Sequence, residues 1–182
     1  MSGLFICSDI HGDASSAQAL LNAFDKSGAQ RFVILGDILY HGPRNDLPAG
    51  YDPKRVIALL NPYKDKILAV RGNCDTEVDQ MVLDFPILAD YAYIVVDGLR
   101  IFATHGHVFN KENCSLLSRG DVLLHGHTHV PAAEIFGDGL YYLNPGSAAI
   151  PKESSPKGYI LYENRRFSYR TLDGEEYKSF QI

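Results

Sequence analysis

Leu4-Phe5-Ile6-Cys7-Ser8-Asp9-Ile10-His11-Gly12-Asp13 is the stretch that decides the fold of this chain. Its four leading apolar residues are too few for a helix and do not alternate, which reads as a short strand buried on both faces. The run then breaks into an aspartate and a histidine two residues apart, beside a glycine. A hydrophobic core has no use for such donors unless they are paired or ligating. The same design recurs downstream. Val33-Ile34-Leu35 runs into Gly36-Asp37, and Ile67-Leu68-Ala69-Val70 into Gly72-Asn73. Ile101-Phe102-Ala103 runs into His105-Gly106-His107, and Val122-Leu123-Leu124 into Gly126-His127-Thr128-His129. Five strand-like segments thus end in an oxygen or imidazole donor next to a glycine. That repetition predicts a metal site assembled along one edge of a sheet. Gly12 and Gly126 are expected to supply the turning freedom that lets the Asp9/His11 and His127/His129 pairs converge.

Around these strands the first half alternates with helices. Residues 14–27 place Ala17, Leu20, Leu21 and Phe24 on one helical face, with Gly28 as a stop. Asp52-Pro53 reads as an N-cap and first-turn proline for a helix through Leu60. Residues 75–83 read as a third helix, ended by Pro86. This β-α-β-α-β order implies parallel pairing with right-handed crossovers. The second half reads as hairpins over 91–104, 132–143 and 159–171, turning at Asp97-Gly98, Gly137-Asp138-Gly139 and Glu163–Arg166, and so as mostly antiparallel. Residues 152–157 read as a mobile surface loop. No repeat or linker divides residues 1–182, which are expected to form one domain.

Composition sets outer limits. The 182 residues are 46% hydrophobic and 21% charged, enough to bury a core. A net charge of −5 argues against a nucleic-acid-coating surface and leaves a small anionic substrate open. Cys7, Cys74 and Cys114 are widely spaced and form neither a disulfide framework nor a zinc ribbon. The absence of a signal-like start and of any membrane-length apolar run points to a cytoplasmic protein.

The donor inventory comprises Asp9, His11, Asp37, Asn73, His105, His127 and His129. Mixed oxygen and imidazole donors suit borderline divalent ions, Mn²⁺, Fe²⁺, Zn²⁺ or Ni²⁺. Seven donors exceed one tetrahedral site and suit two ions sharing a carboxylate.

The set Asp9/His11, Gly36-Asp37, Gly72-Asn73, His105-Gly106-His107 and Gly126-His127-Thr128-His129 resembles the calcineurin-like metallophosphoesterase superfamily. Its YfcE-type branch of bacterial phosphodiesterases is similar in His41-Gly42-Pro43-Arg44-Asn45, Gly72-Asn73-Cys74-Asp75 and Val78-Asp79-Gln80-Met81. The resemblance implies a four-layer α/β/β/α sandwich with two mixed β-sheets. It implies that Asp9, His11 and His129 hold one ion, that Asn73, His105 and His127 hold the other, and that Asp37 bridges them. It further implies two transition-metal ions per chain, Mn²⁺ foremost, and a metal-bound hydroxide that hydrolyses a phosphodiester, with Asp37, Asn73 and His105 in the catalytic centre. One position departs from the family. Its common Gly-Asn-His pattern reads Gly72-Asn73-Cys74 here, and a thiol is a poor substitute for imidazole as a proton donor. Cys74 is therefore expected to be either a packing residue or a catalytic one, and Asp75 to cap the next helix or orient a ligand histidine.

His41, Arg44 and Asn45 sit on a long connection leaving the Asp37 strand and are candidate substrate contacts, as is His107. His125 reads as a core histidine. A small phosphodiester is the expected substrate, without stable nucleic-acid or membrane binding, and a homo-oligomer is compatible with the chain. Two rival readings stand beside this one: a phosphomonoesterase or nucleotide phosphatase on the same site, and a catalytically silent protein-binding scaffold of the Vps29 kind.

Overall fold

The computed structural model describes residues 3–182. Two mixed sheets pack face to face. The first has six strands: β1 (Leu4–Cys7), β2 (Arg31–Ile34), β3 (Ile67–Ala69), and further along the chain β9 (Gly158–Glu163), β10 (Arg166–Thr171) and β11 (Glu176–Gln181). Their spatial order is β11-β10-β9-β1-β2-β3, parallel from β1 to β3 and antiparallel across β1, β9, β10 and β11. The second sheet has five strands: β4 (Tyr91–Val96), β5 (Leu99–Thr104), β6 (Val122–Leu124), β7 (Pro131–Phe136) and β8 (Leu140–Pro145), in the order β4-β5-β6-β8-β7. The expected hairpins β4–β5, β7–β8 and β9–β10 are present. The second sheet nevertheless has a parallel centre, β5-β6-β8. Strand β11 extends the last hairpin.

Burial explains the layering. Ile6, Val33 and Leu35 from the first sheet meet Ile101, Ala103, Val122 and Leu124 from the second in one buried apolar cluster. The opposite faces of the same strands carry Phe5, Phe32 and Ile34, which pack under the helices α1 (Ala14–Ser27) and α2 (Pro53–Leu60). Asp13 caps α1 by accepting the Ser15 and Ser16 N–H groups, and Gly28 closes it in the left-handed conformation at φ 71°. Asp52 caps α2, with Pro53 in its first turn. The outer face of the second sheet is covered differently. There Phe102, Leu123 and Tyr142 pack against Phe109, Cys114 and Leu117 of the irregular segment 105–121. That segment forms the fourth layer without a helix.

The third helix is shorter than its sequence suggests. It spans only Glu77–Gln80 (α3), capped by Thr76 in a capping box with Asp79. Asp75 stays outside it, its carboxylate binding backbone N–H groups in the loops that follow β2 and β3. At the far end Gln80 takes over the pairing: its amide donates to Leu83 O and Phe85 O, and its carbonyl accepts from Ile87 N–H. A side chain there satisfies groups that a longer helix would have paired.

Candidate metal centre

The donors converge where the C-terminal ends of β1, β2 and β3 face those of β5 and β6. The site therefore straddles both sheets, which corrects the expectation of a single sheet edge. Backbone hydrogen bonds clamp the facing loops, with Asp9 N–H donating to Gly36 O (3.1 Å) and His11 N–H to Asp37 O (2.9 Å).

The turning is done by the donor residues themselves. Asp9, His11, Asp37, His127 and His129 all have positive φ, between 48° and 66°. Such backbone is uncommon outside glycine, and strained residues of this kind collect at functional sites. Gly12 shares the conformation at φ 74°, as expected. Gly126 does not: it is required for clearance, because a Cβ there would overlap Ser8 Oγ and sit 2.6 Å from Asp9 Oδ2.

Two groups of three form around one carboxylate. In the first, Asp9 Oδ1 lies 3.5 Å from His11 Nε2 and 3.2 Å from His129 Nε2, and those two nitrogens are 3.2 Å apart. In the second, His105 Nε2 lies 3.1 Å from Asn73 Oδ1 and 3.3 Å from His127 Nδ1. Asp37 Oδ2 faces both groups, 3.8 Å from His11 Nε2 and 3.4 Å from His105 Nε2. Its other oxygen accepts the Cys74 N–H at 2.8 Å.

The surroundings fit divalent ions. Three imidazoles are oriented from behind: Nδ1–H of His11 donates to Tyr40 O, that of His105 to Leu35 O and that of His129 to Ile150 O, at 2.6–2.7 Å. Each bond fixes a tautomer whose Nε2 lone pair points inward, an arrangement typical of ligating histidines. Asp9 Oδ1 is buried with no hydrogen-bond partner, an expensive condition that a cation would relieve.

The electrostatics agree. Burial alone would raise the Asp9 carboxyl, but the imidazoles of His11 and His129 packed against it hold it well below the usual carboxylate range. Burial also opposes charge on His105, yet its bond to Asp37 and the charge of Asp9 lift it to about 9. His127 is pushed down by burial and by the charge on His105. Without metal, His105 is therefore an imidazolium at neutral pH, and a bound ion must replace its proton. An unfolded histidine titrates near ~6.5. Because the folded value is higher, the stabilisation is complete below ~6.5 and is lost as pH rises toward 9. In EDTA the melting temperature is expected to fall between pH 6.5 and 9.5, and far less with Mn²⁺ present. A melting temperature insensitive to metal across that range would rule out this exchange.

A cavity of about 470 Å³ opens over the donors, lined by Arg44, Asn45, Cys74, Thr128 and Lys152 with Asp37, Asn73, His127 and His129. Arg44 and Asn45 are thus brought to the site. His41 is not. Its ring packs edge-on against Tyr40 and Tyr51, its Nδ1 is buried without a partner, and only its backbone carbonyl contributes, holding the Asn45 amide at 2.8 Å. His107 is exposed on the other side, its ring 5.4 Å from that of His105 and 6.2 Å from that of His127. His125 is a core histidine, its ring tilted against that of Tyr142 at 4.6 Å and pushed down to about 4 by burial.

Asp75 neither caps α3 nor touches an imidazole. Its carboxylate accepts the N–H groups of Asp37, Ile38 and Gly72 at 2.7–2.9 Å, fixing the backbone on which Asp37 rides. Burial raises it to about 6 despite those bonds. Lys152 and Thr128 carry no sequence signal that marks them for the site. Lys152 sits on the segment expected to be a mobile loop, but that loop is tied down. Lys152 N–H donates to His129 O, and Lys157 Nζ reaches the buried Asp13 Oδ2 at 3.0 Å. Asn144 and Ser147 brace the centre, the first donating to Gly126 O and the second to Asp9 O, both at 2.8 Å.

Comparison with known proteins agrees with this geometry. The family description "calcineurin-like phosphoesterase superfamily domain" matches residues 3–166. Phosphodiesterase YfcE of Escherichia coli K12 is 47% identical over 175 residues, covering 96% of this chain and 95% of its own. The solved structure of the E. coli phosphoesterase Yfce has a TM-score of 0.95 at 46% identity, with 99% of each chain covered. Vps29 of Entamoeba histolytica, solved with Zn²⁺, shares the fold at a TM-score of 0.60 and 21% identity, covering 99% of this chain and 98% of its own.

Proposed function

The chain belongs to the calcineurin-like phosphoesterase superfamily, and on that premise we propose that it is a metal-dependent phosphodiesterase with a two-ion centre. The observation that carries the reading is Asp37 facing two complete donor groups. Asp9, His11 and His129 would hold one ion, Asn73, His105 and His127 the other, and Asp37 both. The ions are divalent transition metals, Mn²⁺ first, with Fe²⁺, Zn²⁺ or Ni²⁺ as alternatives. Bound ions of this kind supply a hydroxide near neutral pH and offset charge building on the phosphoryl oxygens.

The chain's own residues set the conditions for that chemistry. Backbone carbonyls hold the imidazoles in ligating tautomers. Asn73 contributes an amide oxygen and no charge, so the centre stays cationic toward an anionic ester. Arg44, Asn45 and Thr128 line the cavity in which the ester oxygens would lie. Cys74 lies beside Asn73, whose amide donates to its sulfur at 3.2 Å. Burial, then Asp37, push the thiol up to about 12. A neutral thiol is neither a nucleophile nor an effective acid at neutral pH.

Three results are expected. Metal analysis after reconstitution gives two ions per chain. An aryl phosphodiester is hydrolysed faster than the matching aryl monoester at pH 7–9, and Cys74→Ser keeps most of that activity. A clear monoester preference would favour the phosphatase reading, and a phosphorylated Cys74 would make the thiol the nucleophile. The Vps29-like scaffold is the weaker alternative. Its likeness lies in the fold, whereas nearly half the residues are shared with a protein named a phosphodiesterase.

We read residues 1–182 as one phosphoesterase domain in the cytoplasm, its cysteines Cys7, Cys74 and Cys114 all free. Among the described residues, no helix is long and apolar enough to cross a membrane.

A further inference from the structure

His125 is only 3% exposed and belongs to neither donor group, yet its ring borders a second cavity, of about 310 Å³. The irregular segment after β5 and Tyr142 of β8 form its walls, on the outer side of the second sheet. It shares His127 and Thr128 with the cavity over the donors, so the two adjoin.

Burying an imidazole costs free energy unless its nitrogens are paired. Nδ1–H of His125 donates to Gly126 O at 3.0 Å, which fixes the tautomer and leaves Nε2 as an acceptor. Among the described residues Nε2 has no hydrogen-bond partner. The fold makes room for this ring at the expense of a side chain: a Cβ on Gly106 would lie 2.5 Å from His125 Nδ1. The opposite wall is held as well. Lys111 Nζ pairs with Glu134 at 2.7 Å and stands 5.1 Å from the centre of the Tyr142 ring, itself 4.6 Å from that of His125.

These contacts decide what the cavity suits. Lys111 is neutralised by Glu134, and Glu112 adds a carboxylate without an ion pair among the described residues. A second anion is therefore disfavoured. A neutral group bearing hydroxyls can donate to His125 Nε2 and to Glu112 and accept from Lys111. Its size places the cavity at the small end of ligand pockets, enough for a single ring. On the phosphodiesterase reading above, we propose that this cavity is the subsite for one ester arm of the substrate, that the arm is a neutral sugar or polyol, and that His125 selects it by accepting one of its hydroxyls. An arm without that donor leaves the buried nitrogen unpaired, and a site built to hydrogen-bond a hydroxyl rejects the analogue lacking it.

The test uses two phosphomonoesters as competitive inhibitors of bis(p-nitrophenyl) phosphate hydrolysis by the metal-loaded enzyme. Methyl riboside 5-phosphate and cyclopentylmethyl phosphate carry five-membered rings with and without hydroxyls. The riboside is expected to inhibit the wild type about tenfold more tightly. In His125→Phe, which keeps a ring and loses the acceptor, the ratio of the two inhibition constants should fall to near unity. A readout that needs no variant is the nitrogen NMR signal of His125 Nε2 in the Zn²⁺-loaded wild type. It should shift with the riboside and stay in place with the cyclopentyl ester. Equal inhibition of the wild type by both esters, inhibition by neither, an unchanged ratio in folded His125→Phe, or an Nε2 signal that ignores the riboside overturns this inference alone. Inactivity of the metal-loaded wild type toward bis(p-nitrophenyl) phosphate overturns the phosphodiesterase reading, and this inference with it.

Discussion

Asp37→Asn is expected to lose both ions and essentially all diesterase activity, about 10³-fold or more, while the protein stays folded. The expectation rests on where the carboxylate sits. Oδ2 lies 3.4 Å from His105 Nε2 and 3.8 Å from His11 Nε2, and so serves both donor groups. Oδ1 is already committed to the Cys74 N–H. An asparagine has one oxygen for these duties, and its amide would point donor hydrogens at a cation or at an N–H. His11→Ala removes a donor from one group only and should cost one ion before the other. Metal analysis of the two variants separates the cases. An Asp37→Asn protein that keeps two ions at wild-type affinity would show that this carboxylate is not shared.

Much of the site is legible in the sequence because each donor comes directly after a buried strand. Leu4–Cys7 and Val122–Leu124 can only be strands at that length and apolarity, and the residues after them must emerge at a sheet end. Periodicity also fixes α1 and its Gly28 stop. Other features are not legible, for identifiable reasons. The parallel centre of the second sheet depends on the irregular crossover 105–121, which carries no helical period to announce it. Beyond α3 the Gln80 side chain pairs with Leu83 O and Ile87 N–H, contacts that leave no pattern in the sequence. Asp75 sits close to Asn73 in sequence, yet two of its three N–H partners, Asp37 and Ile38, are almost forty positions away. Lys152 reads as part of a solvated loop because its anchor, the contact of Lys157 with Asp13, joins opposite ends of the chain.

The glycines beside the donors are visible in the sequence but the clearance some of them provide is not, and Gly72 gives the sharpest test of it. Its backbone is not in the left-handed region, so alanine brings no conformational strain. The obstacle is space. A Cβ on Gly72 would overlap Asp37 Oδ1 and the Asp37 N, and would lie 2.9 Å from Asp37 Cγ. Neither neighbour can give way easily: the carboxylate is held by Cys74 N–H, and the Asp37 N–H by Asp75 Oδ2 at 2.8 Å. Gly72→Ala should therefore push the shared carboxylate off both donor groups, costing about 10²-fold in activity with metal affinity falling about tenfold or more. Gly28→Ala is the matched control. It does have positive φ, at 71°, but its Cβ would meet nothing within 4 Å. It should cost about 1 kcal/mol of stability and leave metal binding intact. If Gly72→Ala binds both ions as tightly as the wild type, the close approach of the β3 loop to Asp37 is not what positions the metal site.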